Sequence, residues 1–359
     1  FEGASMPAVG RFAGLLLAAL AATAGLVAWR RVAERSRYVR AFEDFVKARG
    51  RAYATKEERQ ARFAIFRANY ALIEAENAKG HPYTLGVNDF ADQTPQEFQA
   101  IHLGLNSPTP AKLWAGLQRL GTQLYSGAAL PEAVDWTAHG AVTSPKNQGH
   151  CGSCWSFATT GALEGAWQIA TGKLVSLSEQ QLVDCSKDGN QGCHGGSMDL
   201  AFTYLKDRAV CTEASYAYTA KDGSCHESNC TVGIPRGGVT GYHDVTPQDE
   251  KALMEAVAKQ PVAVAIEADQ AAFQLYHGGI LTKECGKKLD HGVLLVGYGT
   301  EGGVDYWKVK NSWGGDWGEQ GYIRMKRGVP KDGECGIKDG ATYPVVGKTK
   351  AVVPAAEAV

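Results

Sequence analysis

The chain has 359 residues, a formal net charge of −1 and a sequence isoelectric point of about 6.8. This balance argues against a nucleic-acid-binding protein, which would carry a strongly basic surface. The length exceeds that of one typical core and fits two or three compact units. Its 43 glycines against 13 prolines indicate a loop-rich, partly β protein rather than a disordered chain.

An apolar run near the N-terminus predicts targeting. Residues 12–29 follow Arg11, contain no charge and are rich in alanine and leucine. With the small residues Ala22-Thr23-Ala24, this pattern is typical of a cleaved signal peptide. A membrane anchor is the alternative, because eighteen apolar residues just suffice to span a bilayer and two arginines, 30–31, follow. We predict a signal peptide over residues 1–30.

Residues 34–80 are rich in charge and alanine and contain neither cysteine nor proline. Apolar residues at helical spacing predict two amphipathic helices; they are Phe42, Phe45, Val46, Phe63, Phe66, Tyr70 and Ile73. Offsets of four, four, three, four and four place one further set on a single helical face, namely Glu58, Arg62, Phe66, Asn69, Ile73 and Asn77. Residues 86–92 follow with a turn glycine and a strand-like alternation.

The remainder of the chain predicts a linker and then a mixed domain. Residues 103–129 carry turn signals and are expected to form an exposed, cleavable linker. Residues 155–210 are predicted to be mainly helical, with Ser178 as an N-cap. Strands are expected after residue 239, most clearly at 262–266, 292–298, 306–310 and 321–325. Helices followed by strands indicate an α+β protein whose two halves enclose a cleft.

All nine cysteines lie between Cys151 and Cys335. Cysteine density of this kind on one segment indicates disulfide bonds formed in an oxidising compartment. Because nine is odd, at least one thiol is left unpaired.

Cys154 is the candidate nucleophile. Small, turn-forming residues before it and an apolar run after it predict a tight loop that opens a buried helix. In the first turn of that helix, free N–H groups and the helix dipole favour a thiolate. Gln148 lies on the same loop and offers an amide donor to the same reacting atom. The alternatives are an inert packed cysteine and a redox pair of Cys151 with Cys154.

His291 and Asn311 are the candidate partners of this thiol. His291 stands at the mouth of an apolar strand, which would hold it rigidly, although a purely structural histidine has the same signature. Asn311 ends another strand, and its amide oxygen can accept from one imidazole nitrogen while the other faces the sulfur. Trp313, in the glycine-rich loop that follows, is expected to shield this bond from water, or simply to fill the core.

Together these motifs resemble the papain-like cysteine proteases, in particular the cathepsin L-like group made as zymogens. The resemblance covers roughly residues 36–346 and rests on five motifs. They are Gln148 to Cys154, Asp290-His291-Gly292, Asn311-Ser312-Trp313-Gly314, the helical pattern from Glu58 to Asn77, and residues 86–92. The last two match the prosegment signatures of the family.

The resemblance implies an α+β, papain-like two-lobed fold with a helical left lobe, a β-barrel-like right lobe and an α-helical N-terminal prosegment. The expected organisation is a signal peptide or anchor at 1–30, an inhibitory prosegment with linker at 31–129, a peptidase domain at 130–347 and a short tail at 348–359.

The resemblance also implies roles for four residues. Cys154 would be the nucleophile, His291 its base and then acid, Asn311 the residue that orients His291, and Gln148 an oxyanion donor. No metal or cofactor is implied. Two rival functions remain. One is a catalytically silent family member that acts by binding, which the presence of all four residues disfavours. The other is a ligase that uses the same thioester.

Disulfide pairing follows from the family pattern, which implies Cys151–Cys193, Cys185–Cys225 and Cys285–Cys335. Cys211 and Cys230 are additional, and we predict that they pair with each other; a Cys185–Cys230 bond is the alternative. Asn229-Cys230-Thr231 is also an N-glycosylation sequon.

The family's substrate-binding positions are Gly195 and Gly196, which would pair with an extended peptide, together with Ser197, Met198, Ala265, Leu289, Asp290, Trp313 and Gly340. Small or apolar side chains there imply a roomy pocket that prefers Leu or Phe at P2 and takes Arg poorly. Residues 193–211 contain no long insertion, which favours endopeptidase action.

The implied partners are protein and peptide substrates, the chain's own prosegment as inhibitor, and cystatin-like inhibitors, with no nucleic acid and a monomeric state. The implied destination is the secretory pathway, ending in a lysosome, a lysosome-like vacuole or secretion. Acidic pH is expected to release the prosegment as carboxylates such as Asp92 take up protons. The chain after the prosegment helices is expected to cross the cleft in the non-productive direction.

Overall fold

A computed structural model describes residues 36–106, 119–282 and 285–347. The predicted signal peptide and the tail at 348–359 lie outside these residues. The chain divides into two compact units, one up to Ala71 and one from Leu72 onward. Among the described residues, no helix combines the length and the apolar character needed to cross a membrane.

The first unit is built by two helices, α1 over residues 36–48 and most of α2, Lys56–Asn77. Their aromatic side chains interdigitate, with the Phe66 ring centroid 5.4 Å from that of Phe42 and 5.1 Å from that of Phe45. At the start of α2, the Glu58 N–H donates to Thr55 Oγ1 and the Glu58 carboxylate accepts from Ala54 N–H. The two predicted amphipathic helices are thus confirmed.

The second unit begins with the end of α2, strand β1 (Tyr83–Leu85) and helix α3 (Pro95–His102). The Asn77 amide holds β1 by donating to the Leu85 carbonyl at 2.9 Å and accepting from the Leu85 N–H at 2.8 Å. The strand-like prediction for residues 86–92 is wrong, because this stretch forms turns. There the Asn88 side chain accepts from the Phe90 N–H and closes a local turn in place of a ladder.

Three helices form the helical side of this unit: α4 (Cys154–Thr171), α5 (Glu179–Cys185) and α6 (Met198–Leu205). The Ser178 side chain caps α5 by accepting from the Gln181 N–H, as predicted. Helix α4 is buried over most of its length because it packs directly on the sheet. A Cβ at Gly161 would lie 2.8 Å from Leu294, so the absence of a side chain there permits the close approach.

Ten strands form one mixed sheet. Besides β1 they are β2 (Gly121–Gln123), β3 (Val134–Asp135), β6 (Val239–Val245), β7 (Val262–Ile266), β8 (Tyr276–Leu281), β9 (His291–Glu301), β10 (Val304–Lys310), β11 (Tyr322–Lys326) and β12 (Ala341–Val346). The order is β1-β8-β11-β10-β9-β7-β12-β6-β2, with β3 paired to β9. Only β8–β11 and β2–β6 are parallel among the described pairs. The described path is open, with β1 and β2 at its ends.

Smaller elements complete the unit: β4 (Val210–Cys211) pairs with β5 (Val232–Ile234), and helices α7 (Glu250–Lys259) and α8 (Ala271–Gln274) precede and follow β7. All five residues of β7 are buried, which accounts for its uninterrupted apolar sequence. The predicted α+β class is confirmed, and the four strands predicted most clearly correspond to β7, β9, β10 and β11.

The prediction of an exposed linker over 103–129 is partly wrong for the described residues, because Gly104 is buried; residues 107–118 lie outside the described part of the chain. Leu105 pairs with Gly196, and β2 extends the sheet beside β6. Both segments make backbone hydrogen bonds to residues distant in sequence, which the local turn signals did not indicate.

All nine cysteines are among the described residues, and Cys154 alone has no disulfide partner. The bonds are Cys151–Cys193, Cys185–Cys225, Cys211–Cys230 and Cys285–Cys335. The alternative Cys185–Cys230 bond is therefore wrong. The alternative redox pair is wrong too, because the Cys151 sulfur is bonded to Cys193.

Candidate active site

Cys154 is the first residue of α4, as its sequence surroundings predict. Its side chain is completely buried. The backbone N–H of Gly292, the residue after His291, donates to the Cys154 Sγ at 3.4 Å. The sulfur at the start of the helix therefore lies beside the end of β9 that carries His291.

His291 is held by Asn311. The His291 Nε2 lies 2.8 Å from the Asn311 Oδ1, which also accepts from the Ser312 N–H at 2.8 Å. Because this oxygen only accepts, Nε2 carries the proton and Nδ1 is the basic nitrogen. Nδ1 is buried and has no hydrogen-bond partner among the described residues. The Trp313 ring stacks on the imidazole, with centroids 4.7 Å apart, and covers the bond to Asn311.

Gln148 faces the same site with its amide group fully engaged. Its Nε2 donates to the carbonyl oxygens of Cys151 at 2.8 Å and His102 at 2.9 Å. Its Oε1 accepts from the Ser312 hydroxyl at 2.6 Å, which fixes the orientation of the amide. A donor from the loop before Cys154 is thus present, but it binds the end of α3.

Residues 103–106 cross the site as an extended strand. The Gly104 carbonyl accepts from the Gly196 N–H at 2.9 Å, and the Asn106 N–H donates to the Gly196 carbonyl at 2.9 Å. The Leu105 N–H donates to the Asp290 carbonyl at 3.0 Å. Pairing of Leu105 with Gly196 is parallel. A Cβ at position 104 would lie 2.0 Å from the Gly152 oxygen, so this crossing requires glycine.

The predicted substrate-binding residues surround this strand. A Cβ at Gly196 would lie 2.6 Å from the Trp155 ring, and one at Gly195 would lie 2.6 Å from the Asn106 amide. Ser197, which directly precedes Met198, is buried. Met198 and Ala265 belong to the main apolar cluster, and Leu289 and Leu105 pack against it. A Cβ at Gly340 would lie 2.9 Å from that of Ala265 and 3.5 Å from Leu289, which places these residues together.

Burial sets the protonation of the site. It raises the pKa of the Cys154 thiol to about 11, although the N–H groups of Gly292, Gly104 and Trp155 partly oppose it. Burial also lowers the pKa of His291 to about 4, with only partial compensation from Asn311. Burial therefore favours the neutral forms of both groups in the zymogen. Burial also raises the pKa of Asp290 to about 7.

Two known protein families match the chain. Residues 130–345 match the family described as papain family cysteine protease, and residues 42–98 match the cathepsin propeptide inhibitor domain. The chain belongs to the papain family of cysteine proteases. Its sequence is 49% identical over 292 residues to vignain of Ricinus communis, with 80% of this chain and 81% of that protein covered. Vignain of Vigna mungo is 47% identical over 293 residues, with 80% of each chain covered.

Solved proforms share this fold. The proform of the ragweed pollen allergen cysteine protease Amb a 11 is 39% identical and superposes with a TM-score of 0.79, covering 86% of this chain and 95% of that one. The recombinant stem bromelain precursor is 38% identical, also with a TM-score of 0.79, and the coverage is 86% and 99%. The protein is therefore a cysteine endopeptidase made as a zymogen, with its prosegment as intramolecular inhibitor.

The sequence predicts that the chain after the prosegment helices crosses the cleft but does not identify the residues; in this papain-family zymogen residues 103–106 lie there. The contact of the His102 carbonyl with Gln148 was not predicted. The sequence Leu-Gly-Leu at 103–105 could have indicated this segment, because a glycine between two apolar residues allows the backbone to approach another chain closely. The four disulfide bonds fit folding in the oxidising secretory pathway.

Proposed function

We propose that Cys154 is the nucleophile of this endopeptidase and His291 its general base and acid. Once the cleft is open, the thiol proton moves to the His291 Nδ1 and the sulfur attacks the peptide carbonyl carbon. The C–N bond then breaks, and the imidazolium protonates the leaving amine. Water adds to the thioester, releasing the carboxylic acid and the free thiol. The observation that carries this proposal is the unpartnered, buried Nδ1 of an imidazole whose Nε2 is held by Asn311.

Gln148 is proposed to stabilise the tetrahedral intermediate with the backbone N–H of Cys154. Its Nε2 already donates to a carbonyl oxygen, that of His102, at 2.9 Å. Departure of His102 leaves the donor free for the oxyanion, while the Ser312 hydroxyl on Oε1 keeps the amide oriented. A preset donor of this kind costs little reorganisation during the reaction.

The specificity pocket is proposed to take Leu or Phe at P2. Its support is Leu105, which is bound beside Gly196 and packs on the apolar cluster that contains Met198 and Ala265. Gly340 adds no carboxylate, so an arginine side chain would lose its hydration without gaining a charged partner. Gly195, Gly196, Asp290 and Trp313 are proposed to bind the backbone and the leaving side of the substrate.

Inhibition is proposed to come from the reversed direction of residues 103–106. Their pairing with Gly196 is parallel, whereas we expect a substrate to run antiparallel to it. Release is proposed at acidic pH, as carboxylates that hold the segment become protonated. Glu255 is one of them: the Ser126 N–H and Lys259 lower its pKa to about 2, so this contact weakens as pH falls below the usual glutamate range.

Maturation is proposed to occur in an acidic lysosome or lysosome-like vacuole, or after secretion, to give a monomer that cystatin-like proteins can inhibit. The cut is expected between Leu124 and Leu130, at the boundary between the proposed prosegment (31–129) and peptidase domain (130–347).

The test compares purified zymogen with its Cys154→Ser variant during incubation at about pH 4.5. We expect the native chain to shorten, to hydrolyse a fluorogenic Phe-Arg peptide and to react with an epoxide thiol trap. The variant should do none of these alone, yet should be cut when native enzyme is added. Epoxide labelling of another residue, or hydrolysis by the variant, would overturn the assignment. Transfer of the acyl group to added amines in preference to water would indicate a ligase instead.

A further inference from the structure

A second segment of the linker lies along the far edge of the sheet. Strand β2 pairs in parallel with β6, with Gly121, Thr122 and Gln123 opposite residues 243–245. The Leu120 N–H extends the ladder by donating to the Tyr242 carbonyl at 2.9 Å. Because β2 is the last strand of the described sheet, its removal would turn this side of β6 into an open edge. Open edges present unpaired backbone groups that bind another extended chain.

Arg119 anchors the start of this segment in an acidic recess. Its guanidinium donates to the Asp244 Oδ2 at 3.0 Å, and the Asp244 side chain is completely buried. Asp199 is buried near Asp244, and burial together with the charge of Asp244 raises the pKa of Asp199 to about 7. The Oδ1 atoms of Asp199 and Asp244 have no hydrogen-bond partner among the described residues. Two buried carboxyl groups with unused oxygens are suited to a cationic side chain.

Leu120 and Gln123 fit the same surface. A Cβ at Gly241 would lie 2.8 Å from the Leu120 Cγ, so the bare backbone makes room for this leucine. The Gln123 carbonyl accepts from the Thr246 N–H at 3.1 Å and from its hydroxyl at 2.8 Å. The Gln123 Oε1 accepts from the Tyr343 hydroxyl at 2.8 Å. The β6 edge and its surroundings therefore bind three side chains of the segment: Arg119, Leu120 and Gln123.

We propose that the edge of β6 is a peptide-docking site of the mature peptidase, and that its occupant is the excised linker strand, residues 119–126, retained without a covalent bond. This inference rests on the proposed cut, placed after Ser126 within the window from Leu124 to Leu130, and on hydrolysis of a second peptide bond before Arg119. The strand keeps the β6 edge paired and leaves a guanidinium on the buried carboxylates after cleavage. The site is separate from the proposed catalytic residues, so binding there does not require a working nucleophile.

The test uses mature enzyme blocked with an epoxide inhibitor, so that added peptide is not cut. The enzyme is first gel-filtered at about pH 4.5, where Asp244 is protonated and the retained strand is released, and is then titrated at neutral pH. The probe is a fluorescein-labelled peptide of residues 119–126, followed by anisotropy. We expect saturable binding, weakened about thirtyfold or more by Arg119→Ala in the peptide or by Asp244→Asn in the enzyme. The exposed carboxylate of Asp188 provides the matched control, and Asp188→Asn should leave binding unchanged.

Enzyme matured at acidic pH is returned to neutral pH together with its cleavage products and then passed through size exclusion. Mass spectrometry should find the linker fragment with the protein. Absence of saturable binding up to about 1 mM peptide, or equal binding of the native and Arg119→Ala peptides, would overturn the proposal. The peptide variant keeps the test valid if Asp244→Asn fails to fold. Hydrolysis of the Phe-Arg substrate before blocking reports separately on the proposed catalytic function.

Discussion

The side-chain amide of Gln148 donates to the backbone carbonyl of His102 at 2.9 Å. The donor proposed for the oxyanion is thus occupied by the last residue of α3, directly before the strand that crosses the cleft. One short stretch, residues 102–106, therefore takes up the donor, covers the thiol and pairs with Gly196. These inhibitory contacts are made by backbone N–H and carbonyl groups. Side-chain patterns in the sequence therefore did not show which residues make them.

Gln148→Ala tests the role of this amide in the mature enzyme. We expect kcat to fall about 100-fold or more, because loss of one oxyanion donor removes stabilisation present mainly in the transition state. KM should change little. Titration with the epoxide trap counts intact sites, so that misfolded protein is not mistaken for slow enzyme. A kcat within threefold of the native value, roughly 0.7 kcal/mol, would contradict the role.

Gly104→Ala tests the strand that crosses the cleft. Because the added Cβ would lie 2.0 Å from the Gly152 oxygen, we expect the strand to dock poorly and the zymogen to mature faster at a given pH. The measurement is the half-time of zymogen loss on gels. Gly278→Ala is the control, since a Cβ there meets Glu319 at 3.6 Å, an ordinary contact. Equal half-times for native and Gly104→Ala chains would argue against the strand as inhibitor.

Arg119→Gln tests the pH dependence of linker attachment. Burial raises the pKa of Asp244 to about 6, while the Arg119 guanidinium opposes that rise. When Arg119 leaves, the Asp244 pKa rises further, so attachment releases a proton at pH values between the two pKa values and is strongest above the higher one. It weakens as pH falls through that value toward 6. Asp199 and the Tyr242 hydroxyl also face Asp244, and Arg119 lowers the pKa of both, so the substitution favours their protonated forms as well.

We therefore expect the native zymogen to mature faster as pH is lowered toward 6, and the Arg119→Gln zymogen to mature faster already at neutral pH with a flatter profile. Maturation rates between about pH 5 and pH 8 provide the measurement. Parallel profiles for the two chains would show that this contact does not govern release.

Lys146→Met tests a buried charge cluster behind the catalytic residues. The Lys146 Nζ lies 2.7 Å from Glu179 and 3.3 Å from Glu164, and both carboxylates are almost fully buried. Removing the cation deprives two buried acids of their directly bound partner, and the nearby Lys310 compensates them only in part, so the unfolding free energy should fall by about 3–5 kcal/mol. Urea unfolding in a Cys154→Ser background avoids self-digestion. The exposed pair Lys187–Asp222 is the control, and Lys187→Met should cost at most about 1 kcal/mol. Similar losses of unfolding free energy in Lys146→Met and Lys187→Met would contradict a special role for the buried cluster.

A peptide panel tests the pocket. With Leu or Phe at P2, kcat/KM should exceed that with Arg by about tenfold or more, since Arg would bury its charge beside Ala265 and Gly340. The panel keeps Arg at P1 and varies P2 alone. Better cleavage of Arg-Arg than of Phe-Arg peptides would contradict the proposed preference.

Short sequence patterns predicted many of the helices and strands. Turn residues before an apolar run predicted that a helix begins at Cys154, Ser178 predicted the cap of α5, and unbroken apolar sequence predicted β7. These features depend on neighbours a few residues away, which a sequence displays directly. The odd number of cysteines likewise predicted one free thiol, and Cys154 is that thiol.

What the sequence by itself determined is thus most of the helices and strands and the types of side chain in the proposed site, since both follow from local propensity and residue identity. Only the tertiary structure decided where residues 103–106 and 119–123 bind, because their hydrogen bonds join backbone groups far apart in the chain. It also decided that burial favours the neutral forms of Cys154 and His291 in the zymogen. The free energy of a buried charge depends on every group that excludes water from it, and folding alone brings those groups together.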